Sequence, residues 1–303
     1  MKYKLKISGI HFEVLKKHLF PGDSCEAVAI AVCGRQESQA GVTFLVHEIF
    51  TIAYENCSVR TPNKVTWSTS DLPSILQMAS RKKLSILKIH SHPCGYSQFS
   101  YTDDISDREL FDSVTGWMDG EYPHVSAVML PGGEIFGRAV TTDLDFVTLE
   151  RVSVTGNDIF LWGSTQECTE DFSLRTRQAF GEGTVNKLKS MTAAVVGCSG
   201  TGSPVIEQLV RLGVGTIIII DPDTIEKKNL NRIYNSQMQD AIKHNRKVDV
   251  LKRAIDEIGL GTTVIPFPNN LYDDVEILKQ LAGADVVFGC MDSVDGRHLL
   301  NQL

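Results

Sequence analysis

The chain has 303 residues, of which 42% are hydrophobic and 22% charged, and a formal net charge of −7. That length accommodates two domains with cores of their own, and the acidic balance, with no basic stripe, argues against a nucleic-acid binder. No apolar run approaches the ~20 residues of a membrane-spanning helix, the N-terminus lacks the apolar segment of a signal peptide, and seven cysteines without a C-x-x-C pair fit a reducing cytoplasm.

The first half mixes strand and helix periods irregularly, which predicts an α+β domain. Strands are predicted over 4–8, 26–33, 42–53, 85–90, 125–130 and 134–140, and helices over 10–19, 72–82 and 103–118. The run Leu84-Ser-Ile-Leu-Lys-Ile89 reads as a buried strand, so His90 and His92 project from its end on one side. Thr102 is placed to cap the third helix, with Asp103 and Asp104 in its first turn, where the helix dipole favours them. Pro131-Gly-Gly133 reads as a hairpin turn. Residues 141–172 read as a polar, Thr-rich connector, and the predicted layout is a domain over 1–150, a linker over 151–172 and a second domain over 173–303. From 192 onward strand and helix alternate: 192–196, 203–211, 216–220, 239–258, 263–266, 274–281 and 285–288. That alternation predicts a parallel sheet with helices on both faces, making the chain α/β as a whole.

The segment His90-Ser-His-Pro-Cys-Gly-Tyr-Ser-Gln-Phe-Ser-Tyr-Thr-Asp103 is the densest in chemistry. His90, His92 and Asp103 make a compact three-ligand set suited to Zn²⁺, leaving a fourth tetrahedral position open. A lone H-x-H pair is commonly just a solvated strand end. The added Pro93, Ser100, Asp103 and the upstream Glu26 give the pattern its weight. The pattern H-S-H-P-x6-S-x2-D resembles the JAB/MPN (JAMM) metalloprotease family over roughly 1–150. The resemblance implies that His90, His92 and Asp103 hold zinc. It implies that Glu26 takes a proton from the attacking water and gives it to the leaving amine, and that Ser100 hydrogen-bonds the oxyanion. Cys94 falls at a non-ligand position of that pattern and is expected to line the site or be silent.

In the second half, Ala193-Ala-Val-Val-Gly-Cys-Ser-Gly-Thr-Gly202 reads as strand, glycine turn and helix. Gly197, Gly200 and Gly202 let the backbone approach phosphates at a helix start, and Asp221 ends the next strand, where a carboxylate can hold ribose. Ser199 stands in the place of the middle glycine of a dinucleotide fingerprint. The segment Asp221-Pro-Asp-Thr-Ile-Glu-Lys-Lys-Asn-Leu-Asn-Arg232 resembles the D-x-D-x-V-x3-N-L-x-R segment of the ThiF/MoeB family, which includes the adenylation domains of ubiquitin-activating enzymes. Lys247 matches its phosphate lysine. Cys290-Met-Asp-Ser-Val-Asp-Gly-Arg297 matches its C-x-D-N-x3-R segment, with Ser293 in place of asparagine. Arg175-Thr-Arg-Gln178 resembles its short R-x-x-R-Q segment. This resemblance covers roughly 173–303 and implies that Asp221 binds the ribose of ATP. Asn229, Arg232 and Lys247 neutralise phosphate charge, Asp292 holds Mg²⁺, and Arg177 reaches the ATP of a partner subunit in a homodimer. The fold of that family normally continues beyond the point where this sequence stops, so an incomplete domain is expected, with no cysteine assignable to a thioester.

Together the resemblances imply a zinc (iso)peptidase fused to an ATP/Mg²⁺-dependent adenylating domain. Both would act on the C-terminus of a ubiquitin-like or sulfur-carrier protein, in a prokaryotic conjugation or sulfur-transfer pathway. One alternative is a zinc peptidase alone, with an inactive ThiF-like half serving dimerisation or carrier docking. A binding scaffold without activity is opposed by the complete ligand set. An NAD-dependent oxidoreductase is opposed by Ser199 and the set Asn229, Arg232, Lys247 and Asp292.

Overall fold

The computed structural model describes residues 1–38, 41–118, 122–163 and 171–302. The chain divides into two compact units, Met1–Ser164 and Thr165–Leu303. Among the described residues no helix is long and apolar enough to cross a membrane.

The N-terminal unit runs β1 (Tyr3–Ser8), α1 (Gly9–Leu19), β2 (Val28–Ser38), β3 (Gly41–Thr51), β4 (Cys57–Thr61), β5 (Lys64–Trp67), α2 (Leu72–Arg81), β6 (Ser85–Ser91), α3 (Tyr101–Trp117), β7 (His124–Met129), β8 (Ile135–Val140), β9 (Phe146–Thr148), β10 (Arg151–Thr155) and β11 (Ile159–Gly163). Nine strands form one mixed sheet in the order β11-β10-β1-β3-β2-β6-β7-β8-β9, and β4-β5 is a separate hairpin. The central strand β2 is apolar on both faces, as burial on both sides demands. Ala29, Ala31 and Cys33 pack in the core that includes Phe12, Leu15 and Leu19 of α1. Val28, Ile30 and Val32 pack in a second core with Leu72, Ile75 and Leu76 of α2 and Phe111 and Val114 of α3.

Two details of this unit differ from expectation. The cap of α3 is Ser100 rather than Thr102: its side chain accepts from Asp103 N, and Asp103 returns the bond in a capping box. The connector expected over 141–172, and the linker drawn at 151–172, are in large part sheet. β10 pairs with β1 in parallel, and β11 closes on β10 antiparallel. The two-residue period was present in Val152 and Val154, both buried, but is short and embedded in Thr-rich sequence. Residues 164–170 of that connector lie outside the described residues.

The C-terminal unit contains α4 (Leu174–Phe180), α5 (Glu182–Ser190), β12 (Thr192–Val196), α6 (Gly202–Leu212), β13 (Thr216–Ile220), α7 (Met238–Lys243), α8 (Lys247–Ile258), β14 (Thr263–Phe267), α9 (Val275–Gly283), β15 (Val286–Gly289) and α10 (Val294–Leu300). The four strands are parallel in the order β14-β13-β12-β15, a Rossmann-like arrangement. Side chains alternate across the sheet. Ala193, Val195, Ile217 and Ile219 pack with Ile206 and Val210 of α6 and Leu251 and Ile255 of α8, whereas Ala194, Val196, Ile218 and Ile220 pack with Ile277 and Leu281 of α9. The helix expected over 239–258 is two helices. His244 adopts a left-handed conformation, φ 51°, and ends α7; Arg246 is extended and starts α8.

Candidate functional site

In the N-terminal unit the last turn of sequence on β6 and the first turn of α3 meet. His90 and His92 are 1% and 4% exposed. The Nε2 atoms of the two rings lie 3.1 Å apart. Asp103 places Oδ1 3.0 Å from His90 Nε2 and Oδ2 3.5 Å from His92 Nε2. One ligand atom from each of the three residues falls within 4.8 Å of the others, which is the spacing of a metal-binding group.

The protonation pattern suits a cation. The Nδ1 of His92 donates to the Tyr96 carbonyl oxygen at 2.7 Å, so the proton sits there and Nε2 offers its lone pair. Burial, aided by the Lys88 charge, pushes His90 down to about 4 against the pull of Asp103, so its ring is neutral at pH 7. Burial alone would lower His92, but Asp103, the Tyr96 carbonyl and Glu26 carry it upward. Burial opposes ionisation of Asp103, yet the two imidazoles and the Ser100 N–H hold it well below the usual carboxylate range. Two imidazole nitrogens and a carboxylate turned to one point fit Zn²⁺ by donor type and number.

Glu26 precedes β2 instead of opening it. Its N–H donates to Thr61 O at 2.9 Å and its carbonyl accepts from Arg60 Nε at 3.0 Å, so the β4-β5 hairpin fixes its backbone. Burial, reinforced by Asp103, raises its carboxyl to about 7 against the opposing charges of His92 and Lys88. Glu26, His90, Ser100 and Asp103 line one cavity of about 370 Å³, whose other walls include Trp67 of the hairpin and Leu110 of α3. Ser100 is committed on two sides: its Oγ donates to Asp103 Oδ2 at 2.7 Å and accepts from Asp103 N at 3.1 Å. Cys94 is exposed and is not among the residues lining this cavity.

The sequence reading missed what supports this cluster. Lys88 sits two residues before His90, buried, in the run that reads as a buried strand. Its Nζ meets Asp107 Oδ1 at 2.7 Å, and Arg138 Nη2 meets Asp107 Oδ2 at 2.7 Å. Arg138 also pairs with Asp104. A lysine at an inward position of a buried strand was the available signal, since such a group requires a partner.

In the C-terminal unit a pocket of about 550 Å³ opens at the carboxyl ends of β12, β13 and β15, where the strand order reverses. Gly197, Gly200, Asp221, Asn229, Arg232, Lys247 and Asp292 all line it. Gly202 does not: a Cβ there would lie 1.7 Å from the Gly197 carbonyl oxygen, so its role in this structure is close packing of α6 under the glycine turn. Gly197 needs its freedom, at φ +94°. Asp221 Oδ2 accepts from Cys198 N at 2.7 Å and Oδ1 from Asp223 N at 2.9 Å, which ties the ends of β12 and β13 together. Lys247 Nζ lies 2.7 Å from Asp223 and 3.3 Å from Asp221. Burial works against its charge, but the two carboxylates raise its affinity for the proton. Asn229 is buried, and its Oδ1 accepts from Glu226 N at 3.0 Å. Asp292 is exposed on the loop after β15. Cys290 is half-buried and lines the pocket. Arg177 lies on α4, outside the lining residues. Asn270 and Tyr272, which no motif indicated, form part of the wall.

Residues 173–303 match the ThiF family. The C-terminal unit carries a ThiF/MoeB-like domain. An adenylyltransferase and sulfurtransferase of Candida glabrata is 32% identical over 142 residues, covering 44% of this chain and 31% of that protein. Ubiquitin-like modifier-activating enzyme 5 of Bombyx mori is 30% identical over 125 residues, covering 38% and 31% respectively. The molybdopterin-synthase adenylyltransferase of Escherichia coli is 32% identical over 114 residues, covering 38% and 45%. The chain thus spans less than half the length of each of these relatives.

Proposed function

We propose that the chain acts twice on the C-terminus of a ubiquitin-like or sulfur-carrier protein. The N-terminal unit hydrolyses a peptide or isopeptide bond there, as a JAB/MPN-type zinc peptidase, and the C-terminal unit adenylates the carboxylate with ATP. The observation that carries the reading is the convergence in each unit: Glu26, His90, Ser100 and Asp103 on one cavity, and seven separated residues on the pocket of the ThiF-like domain. The names of the relatives support the adenylation half and its carrier-type substrate.

Zinc, when held by His90, His92 and Asp103, would supply Lewis acidity at the scissile carbonyl and acidify water to a pKa of about 7. Glu26, with its carboxyl near 7, accepts the proton of the attacking water and returns it to the departing amine. Ser100 turns its hydroxyl from Asp103 to the oxyanion, while its N–H keeps Asp103 in place. In the other unit, Asp221 positions the ribose. Lys247, Asn229 and Arg232 offset phosphate charge as the substrate carboxylate attacks the α-phosphate and pyrophosphate leaves. Asp292 is the carboxylate available to Mg²⁺, and Arg177 is offered to the pocket of a second copy.

Zinc content per chain, measured beside His92→Ala, tests the hydrolytic half: about one zinc lost in the variant is expected, and no zinc in folded, metal-replete wild type refutes it. ATP–pyrophosphate exchange with a cognate carrier tests the other half. The Lys247 pairs with Asp221 and Asp223 favour a second reading, in which the ThiF-like domain only docks the carrier. Absence of exchange with a carrier that binds would select it.

A further inference from the structure

A second cavity, of about 500 Å³, lies beside the histidine cluster and is used by nothing described so far. The segment from His92 to Ser100 runs past it at Ser97–Phe99 before entering the first cavity at Ser100. Four aromatic side chains stand in its walls, beside polar ones that include Glu134. Phe136 sits with its ring centre 6.4 Å from His92 and 5.3 Å from Phe99, and Phe146 and Trp162 face the same space. Arg138 lines it with its guanidinium 3.8 Å from the Phe99 ring and 3.6 Å from the Phe146 ring. The charge of Arg138 is already met by Asp104 and Asp107, so the cavity is not built for an anion. Aromatic walls around a cation whose charge is already met suit an apolar side chain.

We propose that this cavity holds the residue whose amine is released: a bulky apolar side chain against Phe99, Phe136 and Trp162. The proposal rests on the hydrolytic reading of the N-terminal unit. In that reaction the peptide C–N bond breaks, water supplies the oxygen to the acyl carbon, and the proton goes to the amine. The first cavity then holds the acyl side and this one the amine side, with His92 between them.

Two measurements on the full chain test it. In the first, N-acetyl-phenylalaninamide and N-acetyl-aspartamide are titrated into the metal-free protein, reading the indole N–H resonance of Trp162. A saturable shift with the phenylalanine amide alone is expected. Thr148→Trp should abolish it, because Thr148 is an exposed wall residue that tryptophan would extend across the space, while Thr148→Ala should keep it. Equal or absent shifts with both amides, or binding indifferent to Thr148→Trp, overturn the proposal. In the second, the zinc-loaded protein digests a mixed peptide pool. New N-termini should be enriched in large apolar residues by about ten-fold or more over acidic ones, and a flat distribution overturns the proposal. A pool left uncut counts against hydrolysis itself, and the amide titration still decides the cavity.

Discussion

Asp107→Asn is the sharpest test of how the histidine cluster is held. Asp107 is fully buried, Lys88 and Arg138 are 6% and 7% exposed, and the carboxylate meets each cation at 2.7 Å. At an effective dielectric of ~20, each contact is worth about 6 kcal/mol before desolvation, which takes back several kcal/mol per ion. Removing the carboxylate does not return Lys88 or Arg138 to water, so the expected loss is about 3–5 kcal/mol. For a unit of this size that is about 10 °C or more in Tm. Burial opposes ionisation of Asp107, but Lys88 and Arg138 outweigh it and hold the carboxyl below its ordinary range. A depressed folded value means the stabilisation is complete above the ordinary carboxylate range and fades as pH falls through the folded value. The gap between wild type and variant, followed by urea unfolding of metal-free protein, should therefore be full near pH 7 and close in acid. Asp107 lies one turn beyond Asp103 on α3, and Lys88 two residues before His90 on β6. The network thus sets the spacing of the His90, His92 and Asp103 cluster, and on the proposed zinc reading the metal should be held about 10- to 100-fold more weakly in the variant. Adding Lys88→Met to Asp107→Asn should recover stability, with a coupling of about 1 kcal/mol or more. A loss under about 1 kcal/mol at pH 7 with unchanged zinc affinity would refute the reasoning.

Glu26→Gln should keep zinc and lower hydrolysis by about 10²–10⁴-fold, and loss of zinc instead would show that Glu26 is a ligand. Because Glu26 must be ionised to accept a proton, wild-type kcat/KM should fall in acid as its carboxyl protonates; an acid limb unchanged in Glu26→Gln would contradict its role as the base. In stability the sign runs the other way: the raised Glu26 favours the folded state below the ordinary carboxylate range, and that contribution is lost as pH rises through about 7. Gly202→Ala should unfold the C-terminal unit, as followed by circular dichroism and proteolysis, because the added carbon falls on the Gly197 carbonyl. Lys247→Ala should weaken ATP binding, measured by calorimetry, by about ten-fold or more, and unchanged binding would remove Lys247 from the phosphate site.

The elements were largely legible because their periods were long and clean. β12 and β13 are continuous apolar runs buried on both faces, as covered parallel strands are, and α1, α2 and α3 fall within two residues of their predicted limits at both ends. What escaped was set by partners distant in sequence. β10 is five residues long and is defined by β1, nearly 150 positions earlier. The break between α7 and α8 comes from Asp240, which takes Asn245 Nδ2 at 2.9 Å and both Arg253 nitrogens at 3.0 and 3.1 Å, a knot no helical period encodes.

The same division holds within the pockets. Residue types announced which atoms would do chemistry, but not what occupies them in the resting protein. Ser100 was legible as a hydroxyl near the cluster, yet its bond to Asp103 means that any role at an oxyanion begins by breaking a charge-assisted hydrogen bond. Lys247 was legible as a phosphate lysine, yet it rests between Asp221 and Asp223. A triphosphate entering that pocket brings its negative charge against those carboxylates as well as toward the lysine. Binding therefore demands that Lys247 exchange at least one carboxylate for phosphate and that the displaced charge find a cation. Mg²⁺ is the species able to do that, since Asp223 and Asp292 line the same pocket. ATP affinity should accordingly depend steeply on Mg²⁺ in the wild type and much less in Asp223→Asn; equal Mg²⁺ dependence in both, read by calorimetry, would show that the Lys247–Asp223 pair does not stand in the way of the nucleotide.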